Sequence, residues 1–266
     1  MLTELLGKGG QVCQQAKVGE IKCPIIVRPT SEDVVTGQMF ETLRAVNPRR
    51  WLPQILNTAL GANRFRQQVF RRLRIELWKN RPPYPGDLLP WNEGSTQVDA
   101  TVSWENPPTT VFFEVKYGSD LSKQTARDDG TSGYPSDQLI RNIRVGLWEC
   151  GWFRRGTLFR ASPRDFVVVL LSPEVAHPLV AKYRDAATVT TSIPHAEQLT
   201  GLPQRPFVGE IGYDAIVRLL IEQRRHVTRP ERVLIDDLAC YLQFKKQTLR
   251  PSHSRSNRQQ ERLPIE

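Results

Sequence analysis

The sequence has few of the residues that build metal or disulfide frameworks. Its four cysteines form no CxxC pair, and its four histidines show no HExxH spacing. Neither a zinc site nor a set of disulfides is therefore expected, and the thiols are predicted to be reduced. The cysteines are Cys13, Cys23, Cys150 and Cys240.

Patterns for nucleotide cofactors and for membrane insertion are absent as well. The chain contains no GxxxxGKS, GxxxxGKT or GxGxxG, so ATP or dinucleotide binding has no support. The longest strongly apolar run, Phe166–Leu171, is far too short to cross a bilayer. The initial segment MLTELLGKGGQVCQQAK lacks the apolar region of a secretory signal. We therefore predict a cytoplasmic protein with no membrane partner.

Positive charge is in excess. Lysine and arginine number 37 against 28 aspartates and glutamates, which gives a formal net charge of +9 and a pI near 9.6. This balance favours a polyanionic partner, and nucleic acid before a membrane surface. With 266 residues, of which 39% are hydrophobic, the chain is long enough for one large domain or two small ones.

Residues 98–117 show the pattern of two strands joined by a tight turn. Apolar and polar residues alternate on both sides of Glu105–Thr109, as in half-buried strands. The two prolines in that segment fit a turn, because proline cannot donate to a β-ladder. The sequence thus predicts an antiparallel hairpin whose apolar face carries Val98, Ala100, Val102, Val111, Phe113 and Val115.

The register of this hairpin decides which polar side chains share a face. A turn centred on the Asn106–Pro107 bond places Asp99 opposite Glu114, and a turn centred on the two prolines places Asp99 opposite Lys116. Both registers put all three side chains on one face, with opposed Cβ atoms about 5 Å apart. A shift by one residue would move Asp99 to the other face, and the alternation pattern disfavours that shift.

Two carboxylates and a lysine on one strand face suit a particular chemistry. Carboxylates at this distance repel each other unless a divalent cation lies between them, and hard oxygen ligands suit Mg²⁺. A lysine beside such a metal can orient a water molecule or stabilise charge on a phosphate. The alternative is a surface hairpin with a cross-strand ion pair worth about 0.2–1 kcal/mol.

Val98-Asp99 followed by Glu114-Val115-Lys116 resembles the PD-(D/E)XK nuclease superfamily. Val98 stands where the family has proline, a position that provides no ligand. The resemblance is clearest over Thr30–Leu171. It implies an α/β fold with a mixed central β-sheet flanked by helices and a restriction-endonuclease-like core.

The resemblance also implies roles for individual residues. Asp99 and Glu114 would bind Mg²⁺, which Mn²⁺ can replace, together with the main-chain carbonyl of Val115. Lys116 would position the attacking water or help to deprotonate it. Gln138, in the first turn of the helix after the lysine strand, matches a glutamine that several branches of the superfamily have in the active site; the alternative is an ordinary first-turn polar residue.

An acidic residue from the helix before the hairpin often joins the site in this superfamily. That helix is predicted over Thr30–Ala45, with Thr30 as its cap. Glu32 is the candidate, with Glu41 second. The alternative for Glu32 is a favourable interaction with the helix dipole and no further role. Glu93, shortly before the hairpin, is a candidate for an outer acid.

Basic residues are densest around a helix predicted over Asn63–Lys79. Arg71, Arg72 and Arg74 are the candidate phosphate contacts, and a solvated helix face is the alternative. Lys123, in the polar loop after Lys116, is a further candidate.

Other helices are predicted over Leu52–Leu60 and over Ser136–Glu149, the latter with Ser136 as its cap, and a buried strand over Arg164–Ser172. Residues 1–29 are predicted to form an N-terminal arm or edge element, residues 30–248 the nuclease domain, and residues 249–266 a basic, disordered tail.

The predicted function is metal-dependent hydrolysis of phosphodiester bonds in DNA. The resemblance alone implies a cellular role in restriction of foreign DNA, mobile-element metabolism or repair. Two alternatives stay open at this stage. One is a nucleic-acid-binding or scaffold protein that keeps the fold without cutting. The other is an enzyme acting on RNA or on a small phosphate ester. The predicted partner is DNA, with a homodimer or a partner protein as further options.

Overall fold

The computed structural model describes residues 32–66, 68–84, 89–117, 133–154 and 162–248. The predicted N-terminal arm, the predicted basic tail, the cap Thr30 and the candidate Lys123 lie outside these residues.

The described chain alternates helices and strands. The helices are α1 (Glu32–Arg44), α2 (Leu52–Leu60), α3 (Gln138–Glu149), α4 (Pro178–Arg184), α5 (Ala186–Thr191), α6 (Tyr213–Gln223) and α7 (Arg229–Thr248). The strands are β1 (Arg74–Arg81), β2 (Thr96–Glu105), β3 (Pro108–Val115), β4 (Asp165–Ser172) and β5 (Val208–Gly212). No helix among the described residues is long and apolar enough to span a membrane.

The five strands form one mixed sheet in the order β1-β2-β3-β4-β5. The pairs β1–β2 and β2–β3 are antiparallel, whereas β3–β4 and β4–β5 are parallel. The apolar run of β4 is buried on both sides, as parallel strands covered by helices require. The predicted α/β class with a mixed sheet flanked by helices is therefore confirmed.

Each face of the sheet packs against its own set of helices. Buried residues of α1, α2, α6 and α7 form one hydrophobic core with one sheet face. Buried residues of α3, α4 and α5 form a second core with the other face. The alternation along β3 divides its side chains between them, since Phe113 belongs to the first core and Phe112 to the second.

The β2–β3 hairpin has the register in which Ala100 opposes Phe113, which is one of the two predicted registers, although the paired residues end at Ala100, one residue before Asp99. Five of the six predicted apolar residues lie in the first core, but Val98 packs in the second. The reason is that paired register ends at Ala100, where the carboxylate of Asp99 accepts the N–H of Val115 at 2.8 Å. Strand β2 leaves β3 at this point and Val98 turns to the other face.

The predicted helix over Asn63–Lys79 is wrong. Arg74–Arg81 is the edge strand β1, paired with β2, and most of the preceding segment is irregular. The apolar spacing of four residues that indicated a helix is incidental, because Ile75 and Leu77 face the first core with a period of two. Pairing with β2 decides the conformation, as tertiary context often overrides local pattern.

The predicted helices on either side of the hairpin form, with one change of cap. Helix α2 has the predicted bounds, and α1 lies within its predicted range. Helix α3 is capped by Asp137, whose carboxylate accepts the N–H groups of Leu139 at 3.1 Å and Ile140 at 3.0 Å. The predicted cap Ser136 is wrong, and its hydroxyl is buried without a hydrogen-bond partner among the described residues.

Candidate functional site

Four of the predicted site residues meet where β3 ends. Glu114 is the penultimate residue of that strand, and Lys116 follows it. Helix α1 begins at Glu32 on one side of the sheet, and α3 begins at Gln138 on the other. The beginnings of two helices therefore converge on the end of one strand.

Glu114 is fully buried and its two oxygens are held by three side chains. Its Oε1 accepts from Gln138 Nε2 at 2.5 Å and pairs with Lys116 Nζ at 2.9 Å. Its Oε2 accepts from Asn142 Nδ2 at 2.9 Å. Asn142 is itself buried, and Thr96 Oγ1 donates to its Oδ1 at 3.3 Å. A buried carboxylate needs such donors, and here they fix its orientation.

Lys116 is held between two carboxylates. Its Nζ lies 3.6 Å from Glu32 Oε2 as well as 2.9 Å from Glu114 Oε1. Glu32 is anchored in turn, because its Oε1 accepts the N–H of Tyr117 at 2.9 Å. The main chain of Lys116 is fixed by Leu171, which accepts its N–H at 2.8 Å, and by the hydroxyl of Tyr213, which donates to its carbonyl at 2.8 Å.

Asp99 completes the group from the neighbouring strand. Its carboxylate accepts the N–H of Val115, next to Glu114, and it interacts electrostatically with both Glu114 and Lys116. The side chain thus lies at the split between β2 and β3 and faces the same site. All three residues of the predicted Asp, Glu and Lys set are together.

The pKa values of Glu114 and Lys116 are both raised, for different reasons. Burial raises the pKa of the Glu114 carboxyl, and the neighbouring Lys116, Asn142 and Asp99 oppose that shift. Burial alone would lower the pKa of the Lys116 ammonium, but attraction to Glu114, Glu32 and Asp99 outweighs it and raises that pKa. Lys116 is therefore the fixed positive charge of the site at neutral pH.

Carboxylate oxygens are the kind of donor that Mg²⁺ takes in proteins. Three carboxylates, from Glu32, Asp99 and Glu114, surround the single ammonium of Lys116, which leaves a surplus of negative charge. Mg²⁺ is commonly held by one or two carboxylates, with water and phosphate oxygens completing its shell. Within the described ranges, no three His, Cys, Asp or Glu side chains are grouped so as to enclose a metal ion on their own.

Of the three further acids that were candidates for the site, only Glu32 contacts it. Glu32 reaches Lys116, whereas Glu41 pairs with Arg44 at 2.9 Å one turn further along α1. Glu93 pairs with the buried Arg144 of α3, so its carboxylate is engaged there.

Asn142 also belongs to the site, although no separate role was predicted for it. The available signal was its position four residues after Gln138, which places both side chains on one face of α3.

The predicted nucleic-acid-binding arginines lie apart from the carboxylates. Arg71 and Arg72 are exposed in the segment before β1, and Arg74 begins β1 opposite Ser103, close to the β2–β3 turn. Glu114 lies at the other end of β3. The structure does not bring these arginines to the catalytic candidates.

Two other cations of the same cluster have structural partners. Arg64 donates to the carbonyl of Pro206 at 2.7 Å and pairs with Asp165. Arg81 is buried and pairs with Glu149.

Three comparisons with known proteins add no relative. No family model matches the sequence, no curated protein matches it, and no solved structure matches its fold.

Proposed function

We propose that this protein is a divalent-metal-dependent nuclease that hydrolyses phosphodiester bonds in DNA. The observation that carries the proposal is the cluster at the end of β3, where Glu32, Asp99 and Glu114 surround Lys116. A surplus of carboxylate around one ammonium attracts a divalent cation, and the ammonium beside it can receive a phosphate.

The architecture around the cluster supports the same reading. A helix precedes the hairpin, the hairpin carries the acids on one face, and a helix with Gln138 returns to the site before a parallel strand is added. This order of elements supports the restriction-endonuclease-like core that the resemblance to the PD-(D/E)XK superfamily implies.

In this proposal Asp99 and Glu114 hold Mg²⁺ or Mn²⁺, with the carbonyl of Val115 as a further ligand. When bound, the metal polarises a phosphoryl oxygen and lowers the pKa of water. Gln138 and Asn142 keep the Glu114 carboxylate oriented through their hydrogen bonds.

Lys116 acts as a positive donor in the proposed mechanism. It is held by Glu114 and Glu32 as an ammonium, so it orients the attacking water and stabilises negative charge that develops on the phosphate. Its raised pKa favours this role over removal of a proton from the water.

The test is cleavage of supercoiled plasmid DNA with Mg²⁺, with Mn²⁺ and with a chelator, and with an RNA substrate in parallel. Asp99→Asn, Glu114→Gln and Lys116→Met keep the size of each side chain and remove its charge. Each variant should lose cleavage by a factor of at least about 100, as expected for electrostatic groups in a reaction centre.

Glu41→Gln and Lys246→Met are matched controls, since both residues form ion pairs away from the cluster. They should cut like the parent protein, and thermal unfolding should show that all five variants are folded. Full activity of Lys116→Met, or cleavage that persists in chelator, would refute the proposal. If the protein cleaves RNA and not DNA, the substrate is RNA instead of DNA.

A further inference from the structure

A second charged cavity lies at the opposite end of the hairpin from the carboxylate cluster. It has a volume of about 280 Å³ and opens on the side of the sheet that carries Thr101, Ser103 and Thr110. Five cations line it, three from β1, one from the segment before β1 and one from the segment before β4. They are Arg72, Arg74, Lys79, Arg81 and Arg164. We name it the arginine pocket.

The acids in the arginine pocket are each matched by a cation. Arg164 pairs with Glu105 at 3.0 Å, and Lys79 pairs with Glu76 at 3.3 Å. The buried Arg81 pairs with Glu149 at the end of α3. These pairs neutralise the three acids of the lining.

Arg72 and Arg74 are the two cations of the pocket that no acid of its lining neutralises. Neither side chain has a hydrogen-bond or ion-pair partner among the residues that the structure describes. Their main chain is nevertheless fixed, because the carbonyl of Arg71 accepts the N–H of Glu105 at 2.9 Å and Arg74 pairs with Ser103 across the sheet. Two unpaired guanidinium groups on a fixed backbone make a site prepared for an anion.

Buried and neutral donors complete the pocket. Arg81 is 2% exposed and its Nε has no hydrogen-bond partner within the described ranges. Its Nη2 donates to the hydroxyl of Thr101 at 2.9 Å, and Ser103 is a further hydroxyl-bearing residue of the lining. Guanidinium forks with hydroxyl groups are the usual donors to phosphate oxygens.

We propose that the arginine pocket binds the phosphodiester backbone of nucleic acid as a second contact, separate from the carboxylate cluster. The choice of nucleic acid as the source of the phosphate rests on the proposed function. Helix α3 runs from Gln138 beside Glu114 to Glu149 in the pocket, and its 12 residues span about 18 Å. That is the axial length of about five phosphates on one strand of a duplex. The pocket therefore holds the backbone several nucleotides from the bond that is cut.

The test measures binding in a chelator, where no metal is present and no cleavage is needed. The full-length protein is titrated into a labelled duplex of about 20 base pairs at several salt concentrations. In Arg72→Gln/Arg74→Gln, the slope of log K against log salt should fall by about 1 to 2, since each lost phosphate contact removes about 0.9. Inorganic phosphate should compete with the duplex for the parent protein more strongly than for this variant.

Two controls make the result specific. Arg218→Gln/Arg229→Gln removes the same charge from exposed arginines on α6 and α7 and should leave the slope nearly unchanged. Glu76→Gln removes an acid from the pocket lining and should tighten binding, an effect of opposite sign. The proposal is overturned if the pocket variant keeps the parent slope, or if the control pair lowers it equally. If the parent protein binds the duplex through the pocket but does not cut it when Mg²⁺ is added, the proposed function is refuted and the pocket proposal stands.

Discussion

The carboxylate of Glu32 lies 3.6 Å from the ammonium of Lys116 and joins the first residue of α1 to the end of β3. The other oxygen of Glu32 accepts the N–H of Tyr117, so the helix is attached to the strand end by two contacts. This arrangement makes Glu32 a positioning residue, because it acts on the reaction through the lysine that it holds.

Glu32→Gln should lower kcat by about 10- to 100-fold with little change in KM, the range typical of residues that orient a metal site or its neighbours. The amide keeps the contact with Tyr117 but removes the charge that faces Lys116. Steady-state kinetics on a plasmid or oligonucleotide substrate give the two constants.

The matched control for Glu32 is Glu41→Gln on the same helix, which should be silent. The pH dependence gives a second reading. Because Glu32 helps to raise the pKa of Lys116, its loss should move the alkaline limb of the activity profile to lower pH. Equal activity of Glu32→Gln and the parent protein would remove Glu32 from the site.

Asn142→Ala should destabilise the protein by about 1–3 kcal/mol, since it leaves the buried carboxylate of Glu114 short of a donor. It should also weaken binding of Mg²⁺ by about 10- to 100-fold, because the carboxylate loses its orientation. Urea unfolding and calorimetric titration measure the two effects. Arg141→Ala, at the adjacent helix position, serves as the control. Unchanged stability and metal affinity in Asn142→Ala would contradict the role given to this residue.

Asp137→Ala should cost about 1–2 kcal/mol of folding free energy. The change removes the cap of α3 and also the acceptor of the Tyr183 hydroxyl, 2.5 Å away. Ser136→Ala should change stability by no more than about 0.5 kcal/mol, because the serine hydroxyl has no partner within the described ranges. Chemical unfolding of both variants decides which residue caps the helix. A larger loss in the serine variant would reverse the assignment.

Cys150 gives a test at alkaline pH. Burial raises the pKa of its thiol to about 12, and the hydroxyl of Thr110 and the charge of Arg164 oppose this only in part. The folded-state pKa is above the ordinary value of 9.0, so the thiol's contribution to stability is complete below that pH and is lost as pH rises towards 12.

Between about pH 8 and about pH 10, the parent protein should lose about 1 kcal/mol more stability than Cys150→Ala. Urea unfolding of both proteins at the two pH values measures the difference, and the other cysteines cancel because both proteins have them. A difference that does not change with pH would show that the thiol is not buried as described. As an independent check, alkylation of the folded protein should modify the exposed Cys240 and spare Cys150.

Local pattern was sufficient for the centre of the site. The alternation on both sides of the Pro107-Pro108 turn allowed two registers, both with Asp99, Glu114 and Lys116 on one face, and the paired residues Ala100–Glu105 and Pro108–Phe113 adopt one of them. Such a prediction succeeds because strand side chains alternate with a period of two, so a wrong register would bury polar groups.

Prediction from local pattern failed in two places. In one, the spacing of apolar residues suited both a helix and a strand; in the other, two neighbouring polar residues were equally good helix caps. Residues 63–79 carry apolar side chains at a spacing of four, but pairing with β2 made the end of this segment a strand. Ser136 and Asp137 are both acceptable caps, and in the structure Asp137 caps α3 and also accepts the Tyr183 hydroxyl of another helix.

The sequence by itself determined the hairpin, the buried β4 and the presence of helices on both sides of the sheet, and it narrowed the register of the hairpin to two, because these features follow from periodicity along neighbouring residues. The tertiary structure decided which helix acid reaches the lysine, that Asn142 holds Glu114, that Val98 leaves its face at the strand split, and that Arg72 and Arg74 line a separate pocket. These facts depend on how one element is placed against another that is distant in the chain, and packing rather than local pattern sets that placement.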